Sequence, residues 1–173
     1  MKRILAFILV ACMAFSLCAC DFAKDVADST LNIKAKAKTF EFDGISIELT
    51  TDFMRMDFIS DEYDFIVGTE TLTLMGIKVD SEDTALNDVS VKDYAESFRS
   101  LMTLSSNPTE ITLIDDIPTM QYTASEDGEE QTIAVMFYKG NDCFYVLCFG
   151  ASSDNFKEQY KDICKYAKTV KCE

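Results

Sequence analysis

Hydrophobic and polar residues alternate along much of the chain after residue 39, and a period of two is typical of half-buried β-strands. Around Asp43-Gly44 the alternation runs on both sides, and this dipeptide favours the two-residue turn of a β-hairpin. Residues 71–79 are rich in β-branched and apolar side chains and predict another strand. The acid-rich stretch 54–68 lies between them, and we predict that it is irregular.

Four further strands are predicted in the second half of the chain, after Pro108. Their sequences are EITLID, TMQYTAS, QTIAVMFYK and CFYVLCFGA. The short links between them suit an antiparallel meander. The last two strands are apolar at nearly every residue, which indicates a sheet that is covered on both faces.

Two segments change to a period near 3.6 residues, and each predicts an amphipathic helix. The first covers residues 90–103, with Ser90 as its N-cap, and the second covers residues 154–168, with Asp154 as its N-cap. Four aromatic residues on the apolar sides of these helices should face the core: Tyr94, Phe98, Phe156 and Tyr160. The predicted fold class is therefore α/β (α+β), a central and mainly antiparallel sheet covered by helices.

The N-terminus carries a different pattern, in which a basic pair precedes an uncharged apolar run that ends at Leu17. This is the layout of a signal peptide, and the run is too short for the roughly 30 Å hydrocarbon core of a bilayer. The sequence Leu17-Cys18-Ala19-Cys20 resembles a bacterial lipobox. The resemblance implies signal cleavage between Ala19 and Cys20 and a diacylglyceryl group on the thiol of Cys20. An ordinary cleaved secretory signal and an uncleaved anchor are the alternatives.

These features divide the chain into three parts. Residues 1–19 are the lipoprotein signal peptide, residues 20–38 a lipid-anchored tether with few large apolar side chains, and residues 39–173 a single globular domain. Two acyl chains hold a protein stably on a bilayer, so we expect it on the cell membrane, facing outside the cytoplasm. The formal net charge of −14 argues against a nucleic-acid partner, because phosphate binding needs clustered Lys and Arg.

Four segments of the domain follow one another in a distinctive order: FEFDGISIELTTDF, SVKDYAESF, IDDIPTMQYT and the closing IAVMFYKGNDCFYVLCFGASSDNFKEQYKDICKYAKTVK. Over roughly residues 39–172 this order resembles the PsbP-like α/β/α sandwich group. That group includes photosystem extrinsic proteins, a Ran-binding protein and many bacterial lipoproteins. Because its members share a fold more than an activity, the resemblance implies the architecture and an accessory or binding role.

No catalytic residue, cofactor or metal site is predicted. The chain contains no His, which excludes Ser-His-Asp and Cys-His arrangements and every His-containing zinc site. An acidic cluster could offer oxygen ligands to Ca²⁺, but it lacks the spacing and the turn glycine of an EF-hand loop, and we interpret it as a solvated loop. The cluster consists of Asp57, Asp61, Glu62 and Asp64.

Four cysteines follow Cys20 in the sequence: Cys143, Cys148, Cys164 and Cys172. Cys143 and Cys148 lie an odd number of residues apart on one predicted strand, so they should point to opposite faces and not pair. A bridge between Cys164 and Cys172 would tie the last helix to the C-terminal segment and is the favoured disulfide. Four reduced thiols are the open alternative.

Two functional hypotheses follow. The first is a non-catalytic lipoprotein whose domain binds an envelope protein partner or assists the assembly of a membrane complex. The alternative is a binding module for a small molecule or envelope glycan, with an aromatic-lined cavity at the end of the sheet that uses some of Tyr122, Tyr138 and Tyr145. The last helix also carries a basic stripe, which is either a docking face for an anionic partner or simply its solvated side. The stripe consists of Lys157, Lys161, Lys165 and Lys168.

Overall fold

A computed structural model of the protein describes residues 36–56, 63–80, 88–103, 106–126 and 128–173. In these ranges the backbone forms ten strands and two helices, numbered here in chain order. They are β1 (Ala37–Phe42), β2 (Ile45–Thr50), β3 (Met54–Arg55), β4 (Phe65–Gly68), β5 (Thr73–Asp80), α1 (Val91–Met102), β6 (Thr112–Ile114), β7 (Ile117–Glu126), β8 (Glu129–Lys139), β9 (Cys143–Ser152), α2 (Ser153–Ala167) and β10 (Lys171–Cys172).

The larger of two sheets has seven strands in the order β3-β4-β5-β9-β8-β7-β6. Every neighbouring pair is antiparallel, and β6 to β9 form the predicted meander. The central strand β9 is buried from Cys143 to Ala151, because both of its faces are covered. The predicted fold class, a mainly antiparallel sheet covered by helices, is confirmed.

Each face of the large sheet buries its own apolar cluster, because successive side chains of a strand point to opposite faces. Alternate residues of β9 divide between the two clusters: Phe144, Val146 and Cys148 on one face, and Cys143, Tyr145, Leu147 and Phe149 on the other. We call the first the α1 cluster, because α1 buries Tyr94 and Phe98 in it. We call the second the α2 cluster, because α2 buries Phe156 and Ile163 in it.

Helix α1 begins where the sequence predicts. The Ser90 hydroxyl accepts a hydrogen bond of 3.1 Å from the backbone N–H of Asp93, which satisfies one of the free donors of the first turn. The ring of Tyr94 stacks on Phe144 at a centroid distance of 4.3 Å, and Phe98 meets Phe137 edge-on at 5.3 Å. Tyr94 and Phe98 are both buried against the sheet, as predicted.

Helix α2 covers the opposite face but starts earlier than predicted. Its N-cap is Ser152, which makes no side-chain capping bond, and Asp154 lies in the first turn, so Asp154 as the N-cap was wrong. The physical reason is that β9 continues to Ser152 and leads into the helix without a loop. Phe156 is buried, as predicted, while Tyr160 is half-buried with its ring 5.5 Å from that of Phe156.

The smaller sheet packs on the α2 cluster and has the order β1-β2-β10. The predicted hairpin is confirmed: Phe42 pairs with Ile45 across the Asp43-Gly44 turn, where Gly44 has a positive φ of 82°. Strand β1 begins at Ala37, so the last two residues assigned to the tether, Ala37 and Lys38, belong to a strand. The hairpin contacts the large sheet through Phe42, whose ring stacks on Phe65 at 3.6 Å.

Three short strands were not predicted from the sequence. β3 and β4 lie in stretch 54–68, so the prediction that this stretch is irregular was wrong for both segments. β4 is buried at all four residues, so it has no polar alternation to mark it as a strand. β10 is only two residues long and is held by its pairing with β2.

Gly76 on β5 leaves space for an aromatic ring from β4. It pairs with Phe65, and a Cβ atom at Gly76 would overlap that ring. Gly76→Ala should lower the free energy of unfolding by about 2 kcal/mol, because the ring must shift within a packed core. As a control, Gly128→Ala should cost only about 1 kcal/mol: nothing lies within 4 Å of its Cβ position, and only its positive φ of 87° is unfavourable. Equal urea midpoints for the two variants would contradict the close approach of Phe65.

Candidate functional site

An open cleft of about 540 Å³ lies beside the hairpin turn, where the C-terminal residues pair with β2. We call it the terminal cleft, and its lining residues are Glu41, Phe42, Asp43, Gly44, Ile45, Ser46, Lys171, Cys172 and Glu173. β10 forms one wall, because Lys171 pairs with Ser46 and Cys172 pairs with Ile45. The Glu173 N–H donates to the Gly44 carbonyl at 2.9 Å and closes the end of the wall.

The rim of the terminal cleft is polar. Lys78 Nζ lies 2.9 Å from an Asp43 carboxylate oxygen, and this hydrogen bond raises the pKa of Lys78. The pair is solvent-exposed at Asp43 and therefore contributes little to stability. Glu41 and Glu173 add two further carboxylates to the lining, and Lys171 adds an ammonium group. These groups suit hydrogen bonding and ion pairing with a ligand or a partner surface.

Of the three tyrosines suggested for a cavity, Tyr138 and Tyr145 are neighbours on β8 and β9, but Tyr122 does not join them. Tyr122 lies in the α1 cluster, whereas Tyr138 and Tyr145 pack with the α2 cluster on the other face of the sheet. The Tyr138 hydroxyl donates to the Ala167 carbonyl at 3.1 Å, and the Tyr145 hydroxyl donates to the Asp43 carbonyl at 2.9 Å. Burial raises the pKa of both phenols. Both hydroxyls therefore form hydrogen bonds that hold parts of the domain together.

The four cysteines of the domain are free thiols in the part of the chain that the structure describes, so the predicted Cys164–Cys172 bridge is not formed there. Cys143 and Cys148 lie in opposite clusters, as their spacing predicts. Cys164 is half-buried, and burial raises its pKa, while the nearby Lys168 ammonium acts in the opposite direction. The Cys164–Cys172 bridge therefore stays a prediction from the sequence, which peptide mapping of oxidised protein tests.

The basic stripe of α2 is partly neutralised by neighbouring acids. Lys165 Nζ lies 2.6 Å from an Asp162 carboxylate oxygen, and Lys168 forms an ion pair with Asp115. Each carboxylate raises the pKa of its lysine. Two of the four lysines thus have acidic partners, which favours the interpretation of the stripe as a solvated helix face.

The acidic cluster and the lipid site lie mostly outside the described residues. Of the cluster only Asp64 is described, and its carboxylate accepts a hydrogen bond from the backbone N–H of Lys78. Across the described ranges, no group of three or more Cys, Asp or Glu side chains is placed to hold a metal ion. Ala19 and Cys20 are not described, so signal cleavage and lipid attachment stay predictions. No helix within the same ranges is long and apolar enough to cross a membrane.

Comparison with known proteins gives the fold. No protein-family model and no curated protein matches the sequence. Among solved structures, cyanobacterial PsbP (CyanoP) from Synechocystis sp. PCC 6803 aligns with a TM-score of 0.53 at 12% identity, over 85% of this chain and 99% of that protein. The fold is PsbP-like.

Two further structures share this architecture. The Ran-binding protein Mog1p of Saccharomyces cerevisiae aligns with a TM-score of 0.52 at 9% identity, over 80% of this chain and 96% of that protein. A protein from Bacteroides thetaiotaomicron aligns with a TM-score of 0.51 at 10% identity, over 75% of this chain and 45% of that chain. The TM-scores establish a common PsbP-like fold, whereas identities this low leave function to be argued from the chain itself.

Proposed function

We propose that this PsbP-like protein is an extracytoplasmic lipoprotein, anchored to the membrane through Cys20, whose domain binds a protein partner without catalysing a reaction. The observation that carries the proposal is the sequence Leu17-Cys18-Ala19-Cys20 directly after an apolar leader. A lipid at Cys20 would keep the domain at the membrane surface, where it meets other membrane and envelope proteins.

The side chains of the domain favour binding over catalysis. The chain has no His, and the phenols of Tyr138 and Tyr145 donate to backbone carbonyls. The Cys148 thiol is buried in the α1 cluster, and burial raises its pKa, so it is a poor nucleophile. The similarity in fold to a protein whose name records Ran binding is consistent with a domain that binds another protein.

The surface offers separate faces on which a partner could lie. Met54 on β3 and Leu113 on β6 are large apolar side chains that are 46% and 56% exposed. They lie at the two opposite edges of the seven-stranded sheet. Ser97 on α1 and Lys161 on α2 are exposed on the outer sides of the two helices. These four positions therefore sample four sides of the domain.

A photo-cross-linking experiment in intact cells tests the proposal. A photoreactive amino acid is placed singly at Met54, Ser97, Leu113 or Lys161 of the full-length protein, and adducts are separated by mass after irradiation. We expect one discrete adduct from one or two adjacent faces, because a protein interface of standard size covers only part of a small domain. Adducts from all four faces, or from none of them, would contradict a specific protein partner.

The alternative, a binding module for a small molecule or envelope glycan, is favoured by one observation. The terminal cleft has a volume of about 540 Å³, which falls within the range of ligand pockets. A thermal-shift screen with metabolites and glycan fragments separates the two functions, because a ligand that binds only the native state raises the Tm by mass action. A saturable rise that is lost in Lys171→Ala would favour the alternative.

A further inference from the structure

Three distant parts of the chain meet at the end of the terminal cleft: the hairpin turn, the turn between β8 and β9, and the C-terminus. The Gly140 N–H donates to the Cys143 carbonyl at 2.9 Å, and the Asn141 N–H donates to the Glu173 carbonyl at 3.0 Å. The Glu173 N–H in turn donates to the Gly44 carbonyl at 2.9 Å. These backbone bonds hold the end of β10 beside the first residue of β9.

Two thiols occupy this junction, one on each strand. Cys143 is the first residue of β9, and Cys172 is the last residue of β10. A Cβ atom at Gly140 would lie 2.8 Å from Cys143 Sγ and 2.8 Å from the carbonyl oxygen of Glu173, the residue after Cys172. Two atoms that are both this close to one point lie within twice that distance of each other. The Cys143 sulfur is therefore close to the backbone that carries Cys172.

The Cys172 side chain faces the same cluster as Cys143. Cys172 pairs with Ile45 on β2, and paired residues of an antiparallel ladder place their side chains on the same face. Ile45 is buried in the α2 cluster together with Cys143, and Cys172 packs against that cluster. Burial, followed by the interaction with Cys143, raises the pKa of Cys172 to about 11, as expected for two neighbouring sulfurs.

The other two thiols of the domain do not share this junction. Cys148 is buried in the α1 cluster on the far side of the sheet. Cys164 lies on α2, where its neighbours are Tyr160, Lys168 and Asp115. The geometry thus separates one pair from two isolated thiols.

We propose that Cys143 and Cys172 form a disulfide that fastens the C-terminal strand to the start of β9 when the protein meets a disulfide oxidant. The thiolate of the half-exposed Cys172 attacks one sulfur of the oxidant and releases one thiol, giving a mixed disulfide. The thiolate of Cys143 then attacks Cys172 Sγ and releases the second thiol. Two protein thiols lose two electrons and two protons, and the disulfide of the oxidant is reduced to two thiols.

Peptide mapping of the oxidised full-length protein tests this modification site. The protein is incubated with oxidised glutathione, denatured, alkylated with iodoacetamide and digested without reductant. We expect a peptide that links Cys143 to Cys172, with Cys148 and Cys164 alkylated. We also expect a rise of roughly 5–10 °C in Tm that dithiothreitol reverses, because the bridge reduces the conformational entropy of the unfolded chain.

Serine variants provide the controls. Cys143→Ser and Cys172→Ser should each lose the linked peptide and the rise in Tm, whereas Cys164→Ser should keep both. A peptide that links Cys164 to Cys172, or complete alkylation of Cys143 and Cys172 in the wild type, would overturn the proposal. If a serine variant does not fold, the peptide map of the wild type still decides between these outcomes.

Discussion

Cys20→Ala should abolish the incorporation of fatty acid into the protein. The thioether to the diacylglyceryl group needs a thiol, and alanine offers no nucleophile at that position. The variant should accumulate as an unprocessed precursor or leave the membrane fraction, because stable anchoring requires two acyl chains. Metabolic labelling with radioactive fatty acid, followed by fractionation of the cells, measures both effects.

Cys18→Ala is the matched control. It removes a thiol from the same apolar run but keeps a small residue two positions before Cys20. Fatty-acid labelling should therefore continue at the level of the wild type. Equal loss of label in Cys18→Ala and Cys20→Ala would show that the leader, and not the thiol of Cys20, is what the label depends on.

Phe98→Ala should lower the free energy of unfolding by about 3–5 kcal/mol, which is the usual cost of removing a large aromatic ring from a core. Phe98 is 3% exposed, and its ring packs edge-on against Phe137 at 5.3 Å and beside Tyr94 at 6.4 Å. Its removal leaves a cavity between α1 and the large sheet. Urea unfolding followed by circular dichroism gives the change.

Ser100→Ala controls for effects on the helix itself. Ser100 is exposed on α1, and its hydroxyl donates a hydrogen bond of 2.8 Å to the Glu96 carbonyl of the same helix. Its replacement should change the free energy of unfolding by no more than about 0.5 kcal/mol. If Phe98→Ala lowers the free energy of unfolding as little as Ser100→Ala does, α1 does not bury this ring against the sheet.

Several elements could be predicted because their local sequence is sufficient. The Asp43-Gly44 turn is flanked by alternating residues, and Ser90 is placed to cap the regular apolar stripe of α1. In both cases residues close in sequence determine the structure, so no long-range contact had to be known. The same holds for β8 and β9, whose continuous apolar runs indicate that both faces are covered.

Other elements depend on contacts between distant residues and could not be predicted. β10 exists because Lys171 and Cys172 pair with a strand more than 120 residues earlier. β4 is fully buried, so the alternation that marks a strand is absent. The start of α2 was misplaced because β9 ends at Ser152 and α2 begins at Ser153, with no loop between them.

The candidate site could likewise be predicted only in part from the sequence. The absence of His in the sequence excluded the common nucleophilic triads. The terminal cleft was missed, because it forms only when residues 171–173 meet the hairpin turn. The proximity of Cys143 to Cys172 was missed for the same reason. Tyr122 was a cavity candidate together with Tyr138 and Tyr145, although it lies on the opposite face of the sheet from Tyr145.

The intact mass of the wild-type protein extracted from membranes tests whether the domain is anchored there. We predict a chain that begins at Cys20 and is heavier than its amino-acid sequence by a diacylglyceryl group, because the thiol of Cys20 carries the anchor. A chain without lipid that is recovered in the aqueous fraction and begins at another residue would contradict the membrane anchor and the function proposed from it.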